Sequence, residues 1–524
     1  MYRTTEQHLA RLLNSGQQGL LKGGKLGLEK ETLRVNRRGG VAQTPHPAAL
    51  GSALTHPHIT TDYSEALAEF ITPPFTDVRA CLEFLRDTQK FVYANLDNEL
   101  LWAASMPCIV AGETSIPIAY YGTSNIGIMK NIYRRGLGHR YGRVMQVIAG
   151  THFNYSVPDA LWSVFKEHAQ DTRPLEAFVT DAYMGMIRNL QRFGWLILYL
   201  FGASPAVCKS FLSGQPTGMQ EFDVNTYYER FGTSLRMSDI GYQNLKESEC
   251  GIKANYDSLN AYVASLSRAI ATPCPAFEQI GVIVDGQYRQ LSANILQIEA
   301  EYYSSVRPKR TLIGNEKPSL ALKRRGVEYI ELRSLDINPF EPIGIHEDQL
   351  RFLEAFMLFC LLHESPRIGA RESEEIDANQ AITARNGRNS ALKLQRHGQP
   401  MSLPQWASEL CEVMRGICEV LDVGHPDKPY VKALATQQEV ARDPERTPSA
   451  RILAEMRQSG EGFFHYAMRK SFEYQGYFDG LVLADKRMRM FTAAARESLD
   501  KQHEIEAADD LSFDEYLQRY FAQT

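Results

Sequence analysis

Two carboxylates one residue apart, Glu29 and Glu31, lie in the segment KLGLEKETLRV at residues 25–35. In a strand, alternate side chains leave the same face, so both would project together with Leu33 and Val35, about 6.7 Å apart along the chain. Like charges that close repel, and burying them is costly unless cations or hydrogen bonds compensate. A solvated edge strand would satisfy the pair without a ligand. The functional alternative is a pair of magnesium ligands, because magnesium takes carboxylate oxygens together with water and substrate phosphates.

Three further segments have the same character. In IAGTHFNYSVP, His152, Asn154 and Ser156 share one face of a predicted strand, where the imidazole is either a satisfied structural histidine or a metal or phosphate contact. In LQIEAEYY, residues 296–303, alternation predicts a strand with Gln297, Glu299, Glu301 and Tyr303 on one side, followed by a turn at Arg307-Pro308-Lys309-Arg310. That turn is either a solvated surface feature or a source of cations for phosphate oxygens. In GVEYIELRSLDINP, Glu331 and Arg333 share a face with Val327, Tyr329 and Leu335. They form a structural salt bridge, or a metal ligand beside a phosphate-gripping arginine whose planar fork matches phosphate geometry. Asp62, Glu65 and Glu69 make a further acidic cluster in ITTDYSEALAEFITP, with spacing that fits a helix and an end that reads as strand.

Glutamates projecting from separate strands onto one sheet face would hold magnesium, and the arginines would neutralise a phosphoryl group in transfer. The sequence has no P-loop, no GxGxxG after a strand and no kinase motif set, so a nucleotide would rest on a metal–glutamate platform.

The elements that position these residues divide by period. Up to about residue 340, short alternating runs interleave with helices and turns. Beyond it the pattern is helical, over 349–363, 404–421 and 481–503. The expected organisation is a strand-containing catalytic part at 1–340 and a mainly helical part at 341–524 packed on it as one unit. The polar, Asn- and Arg-rich stretch 372–400 is expected to be a mobile loop. The 524 residues are 44% hydrophobic and 23% charged with a net charge of -5, which is ordinary globular usage and offers no basic footprint for nucleic acid. Neither a signal-peptide core nor a run of 18 apolar residues occurs, so a cytosolic protein without a membrane partner is expected. Eight cysteines (Cys81, Cys108, Cys208, Cys250, Cys274, Cys360, Cys411 and Cys418) lack CxxC or zinc-site spacing and read as reduced, mostly core thiols.

With these segments in hand, the chain resembles glutamate-cysteine ligases of the gamma-proteobacterial type. The resemblance rests on GLEKETLRVN, YGTSNIGIMKNIYRRGLGHRYG, QVIAGTHFNYSVP, TSLRMSDIGY, LQIEAEYYSSVRPKR and YIELRSLDINPF, in family order, and fades over 372–400. It implies an α+β, glutamine synthetase-like fold, a curved antiparallel sheet with surrounding helices. It also implies an ATP-dependent ligation of L-glutamate to L-cysteine through γ-glutamyl phosphate, the first step of glutathione synthesis, with magnesium or manganese as cofactor. Glu29, Glu31, Glu69, His152 and Glu331 match metal-ligand positions, and Asp62 lies beside them. Arg333 matches a phosphate contact. Tyr133, Arg236, Tyr242 and Tyr303 match the cysteine pocket, with Arg134, Gln146 and Asn154 as further substrate positions. A monomer inhibited by glutathione is implied as well. Competing readings are a related ligase using another amine, a phosphotransferase without a second amino acid, and a non-catalytic amino-acid sensor.

Overall fold

The computed structural model describes residues 2–241 and 250–523. Its centre is a seven-stranded antiparallel sheet made of β1 (Lys25–Asn36), β2 (Ile59–Thr61), β3 (Leu67–Ile71), β4 (Glu99–Leu101), β5 (Gly150–Ser156), β6 (Val306–Lys309) and β7 (Tyr329–Asp336). The order is β6-β7-β5-β1-β3-β2, and β4 pairs with the far end of β1. The expected α+β class with an antiparallel sheet is therefore what the chain adopts.

Alternation sorts each strand into two faces. Leu26 and Leu28 of β1, Phe70 of β3, Phe153 and Tyr155 of β5, and Ile330 and Leu332 of β7 are buried in one large core. The helix α1 (Asn125–Tyr141) lies on the other side, its start fixed by Ser124, whose hydroxyl accepts from the Gly127 N–H. The helix α2 (Glu347–Leu362) belongs to the core side, and every residue from Gln349 to Leu362 is buried. A helix apolar nearly all round has no solvent face to present, so it packs among other helices rather than on a surface. Leu33 and Val35, beyond the glutamates on the opposite face of β1, enter a second core with Trp102, Val147 and Ile148.

Several expectations are corrected. Leu296–Tyr303 is not a strand: it forms a 3-10 turn at Glu299–Glu301. Its glutamates are buried and spent locally, Glu299 accepting from the Ser319 N–H at 2.7 Å and Glu301 pairing with Arg140 at 2.7 Å. The predicted turn at 307–310 is instead the edge strand β6, where Pro308 does no harm because an edge strand leaves one row of N–H groups unpaired. The segment around Asp62 and Glu69, which the sequence left open between helix and strand, forms the pair β2 and β3, in line with its strand-like end. Leu335 does not share the face of Glu331: the register jumps from Leu332↔Phe153 to Leu335↔Thr151, and this bulge turns Leu335 into the core.

The stretch 372–400 is also not a loop. It is the helix α3 (Ala370–Asn386) followed by a hairpin of 393–396 with 399–402. Its buried stripe is Ile376, Asn379, Thr383 and Ala384, mostly polar or small, so the usual apolar signal is missing. Asn379 replaces it with paired hydrogen bonds to the backbone of Gln395, at 2.7 and 2.8 Å. The last long helix starts at Asp485, four residues later than expected. Finally, Cys108 and Cys208 form a disulfide across 100 residues, with Cα atoms 5.1 Å apart, where reduced thiols were expected. Both belong to the second core, a proximity that spacing in sequence does not reveal. Among the described residues no helix is long and apolar enough to cross a membrane.

Candidate active site

Register assembles the site. Glu29 of β1 stands opposite His152 of β5, Glu31 opposite Glu69 of β3, and Glu331 of β7 opposite Asn154. Opposed residues of antiparallel neighbours share a face, so these six side chains leave the sheet together on the side away from the large core. Since β1 and β5 lie inside the sheet, Glu31 and His152 are 4% and 3% exposed; the solvated-edge reading of the glutamates does not hold.

His152 is the hub. Its Nδ1 is 3.2 Å from Glu29 Oε2 and 3.5 Å from Glu331 Oε1, and its Nε2 is 3.4 Å from Glu31 Oε1. Glu29, His152 and Glu331 bring one donor atom each within 4.8 Å of one another. Asn154 acts on this group and not on the cavity beside it, its amide donating to Glu29 Oε1 at 2.9 Å. Glu31 Oε2 is held by the Gly150 N–H at 2.7 Å. Arg333 Nη1 donates to Glu331 Oε1 at 2.9 Å, so the salt bridge considered from the sequence exists, yet Arg333 also lines the adjoining cavity.

The carboxylates differ in proton affinity. Burial opposes ionisation of Glu331, but Lys309, Arg333 and His152 outweigh it and hold the carboxyl well below its ordinary range. Glu29 is also held low, burial and Glu331 being offset by the His152 hydrogen bond and Lys309. Burial pushes Glu31 up despite His152, and Glu69 rises well above its ordinary range through burial and the charges of Glu29, Asp62 and Glu31. A crowd of carboxylates that cannot all ionise comfortably would be relieved by a cation. Glu331 Oε2 is buried without a hydrogen-bond partner. Carboxylate oxygens and one imidazole are a donor set for a hard divalent ion, so the residues fit a metal.

Next to this group lies a cavity of about 110 Å³, lined by Glu31, Asp62, Tyr133, Arg134, Gln146, Arg236, Tyr303 and Arg333 among others. Six candidates named from the sequence, Asp62, Tyr133, Arg134, Gln146, Arg236 and Tyr303, thus meet in one small chamber. Tyr242 lies outside the described residues. Asp62 turns its backbone carbonyl to Arg134 and Tyr121 and contributes its charge to the field at Glu31 and Glu69. Arg236, 2% exposed, donates from Nη2 to the Arg333 carbonyl at 2.8 Å. It fits only because residue 150 is glycine: a Cβ there would lie 2.0 Å from Arg236 Nη2. Asp336 steadies the turn that carries Arg236, accepting from the hydroxyls of Ser204 and Ser234 at 2.7 and 3.0 Å.

Sequence reasoning missed Tyr63, Tyr141 and Met145 as cavity walls, whereas Arg307 and Glu301, both noted from the sequence, do line the cavity. Part of the signal was present, since Lys130, Tyr133, Arg134, Leu137 and Tyr141 recur at helical spacing along one face of α1. For Glu301 the sequence did not show its buried pair with Arg140.

Comparison with known proteins identifies the family and the fold. The family model described as glutamate-cysteine ligase matches residues 9–383. A glutamate–cysteine ligase of Alcanivorax borkumensis is 48% identical over 98% of this chain and 99% of its own. One from Azotobacter vinelandii is 47% identical over 98% of each. The crystal structure of the Francisella tularensis glutamate–cysteine ligase in complex with AMP superposes with a TM-score of 0.89 at 34% identity, covering 95% of this chain and 98% of that one. A bifunctional glutathione synthetase from Pasteurella multocida shares the fold, with a TM-score of 0.74 at 24% identity over 93% of this chain and 58% of that one.

Proposed function

Because the chain belongs to the glutamate-cysteine ligase family, we infer that it joins the γ-carboxylate of L-glutamate to the amine of L-cysteine with conversion of ATP to ADP. The observation that carries this reading is the group Glu29, His152 and Glu331 set beside a small, Arg-lined cavity. A carboxylate is a poor electrophile, since oxide would have to leave. Phosphorylation by ATP gives γ-glutamyl phosphate, whose acyl carbon the amine attacks; phosphate departs and the amine loses a proton. The protein's task is to align three substrates and neutralise charge, and no protein nucleophile is required.

Glu29, Glu31, Glu69, His152 and Glu331 would hold magnesium, or manganese in its place, with Asp62 at the margin. The ion supplies charge neutralisation at the phosphate oxygens. Arg333 reaches both the carboxylate group and the cavity, so it would grip the phosphoryl group passing between them. Asn154 fixes the orientation of Glu29. Tyr133, Arg134, Gln146, Arg236, Tyr242 and Tyr303 would receive cysteine, with tyrosine rings offering sulfur contacts and the arginines a carboxylate partner. We further propose a cytosolic monomer under inhibition by glutathione.

The test is an amine-dependence assay: phosphate release from ATP and glutamate with each candidate amine. Cysteine should give the highest kcat/KM; a larger value for another amino acid would transfer the reading to a different ligase.

A further inference from the structure

We propose that Lys309 is a phosphate-binding residue of this site, held on Glu331 until a nucleotide polyphosphate arrives. The proposal rests on the phosphoryl-transfer reading above and adds to it a cation which that reading does not use.

Among the four residues Arg307 to Arg310, the structure selects one. Arg307 Nη2 is committed to backbone carbonyls at Ala300 and Tyr302, so it shapes the loop that walls the cavity. Pro308 is buried. Arg310 is 3.7 Å from Glu328, away from the metal-ligand candidates. Lys309 remains. Its Nζ is 3.4 Å from Glu331 Oε2, the oxygen that has no hydrogen-bond partner. Arg333 holds the other oxygen of the same carboxylate at 2.9 Å. Glu331 is therefore gripped by two cations, one per oxygen.

The sheet register places the ammonium on the correct side. Arg307 stands opposite Glu331 and Lys309 opposite Tyr329, so Lys309 shares the face of Glu29, His152 and Glu331. Its side chain is 32% exposed, which leaves it open to a ligand from solvent, whereas Glu331 at 1% is not. The contact is longer than the Arg333 pair and charge-based, so it can be exchanged. A divalent ion on Glu331 Oε2 would compete directly for the electrons that now face Lys309. The ammonium would then turn its three donors to the nearest anion, a metal-bound phosphate oxygen, which a compact cation on a flexible stem suits.

This arrangement predicts opposite signs for two ligands. For Lys309→Met, ADP titrated calorimetrically in the presence of Mg²⁺ should bind roughly ten- to hundred-fold more weakly, the value of one lost charge-assisted hydrogen bond. Mn²⁺ titrated into nucleotide-free protein and followed by electron paramagnetic resonance should bind at least as tightly as to the parent, because a competitor for Glu331 is gone. Lys309→Arg should keep most of the ADP affinity. Unchanged ADP binding in Lys309→Met would overturn the proposal, and so would a parallel loss of ADP and Mn²⁺, which would mean that Lys309 only anchors Glu331. Glu331→Gln in the same titrations tests the underlying reading separately: if it binds Mn²⁺ like the parent, the platform falls whatever Lys309 does.

Discussion

Glu331 and Glu354 are both buried glutamates, 1% and 3% exposed, in the same molecule, yet their proton affinities are shifted in opposite directions. Glu331 stands on the site face of the sheet among Lys309, Arg333 and His152, and its carboxyl lies well below the ordinary range. Glu354 sits in α2 inside the helical core. Burial pushes it up to about 7 against a Tyr430 hydrogen bond of 2.6 Å and the charge of Arg351. Burial alone thus does not make a functional carboxylate. On the site face Glu29 and Glu331 are kept charged by His152 and nearby cations, whereas Glu354, with fewer such neighbours, binds its proton more tightly.

Substitutions should fall into two classes along that line. The largest effect is expected for Arg333→Ala, which removes the cation common to the carboxylate group and the cavity. Loss of a donor to developing charge costs roughly 10²- to 10³-fold in kcat. Thermal unfolding should remain close to that of the parent; normal turnover with a lowered melting temperature would move Arg333 to the structural class.

Tyr303→Ala comes next. Its hydroxyl contacts Met237 Sδ at 3.2 Å, and its ring walls the cavity. The ring is one apolar wall of a cavity lined largely by polar residues, and an apolar contact discriminates by about 1 to 3 kcal/mol, so KM for cysteine should rise roughly ten- to two-hundred-fold. The KM values for ATP and glutamate should stay near those of the parent, and equal losses for all three substrates would reduce Tyr303 to a scaffold residue.

A smaller change is expected of Asn154→Ala, because Asn154 orients a ligand and is not one itself. Second-layer partners of this kind are worth roughly 10- to 100-fold in metal affinity, and the lower end fits a neutral amide with one contact to Glu29. Titration of Mn²⁺ measures this directly.

The smallest functional effect belongs to Glu354→Gln, which should leave kcat/KM for all substrates unchanged. Its effect is on stability. A carboxyl raised from 4.5 to about 7 binds its proton more tightly in the folded state. The stability it contributes is therefore present in full below about 4.5 and is lost as pH rises through about 7. Denaturant unfolding at a series of pH values should give a flatter profile for Glu354→Gln across that window. A profile identical to the parent would mean that Glu354 titrates normally.

How far the sequence could be read depended on where each residue found its partners. The β1 and β7 glutamates, His152 of β5 and Arg333 of β7 were legible because strand alternation fixes a face locally, and register then brings the faces together. Leu335 was misplaced because a bulge depends on the partner strand β5, which the β7 sequence does not specify. Leu296–Tyr303 alternates like a strand, but Glu299 and Glu301 are claimed by Ser319 and Arg140 from distant segments, and that bends the chain. Likewise α3 hides its helical nature behind a buried asparagine and threonine. The Cys108–Cys208 disulfide required knowing that two segments 100 residues apart share a core. In each case the missing information was tertiary.

Gly150 carries a consequence for how such a site can change over generations. Its N–H holds Glu31 and its missing side chain makes room for Arg236, so one backbone position serves both the acidic group and the adjoining cavity. Any other residue there would press on the chamber while disturbing the carboxylate. Under the proposed assignment, substrate preference and ion preference are therefore inherited together at this point, and a lineage that altered one by mutation here would have to repair the other elsewhere.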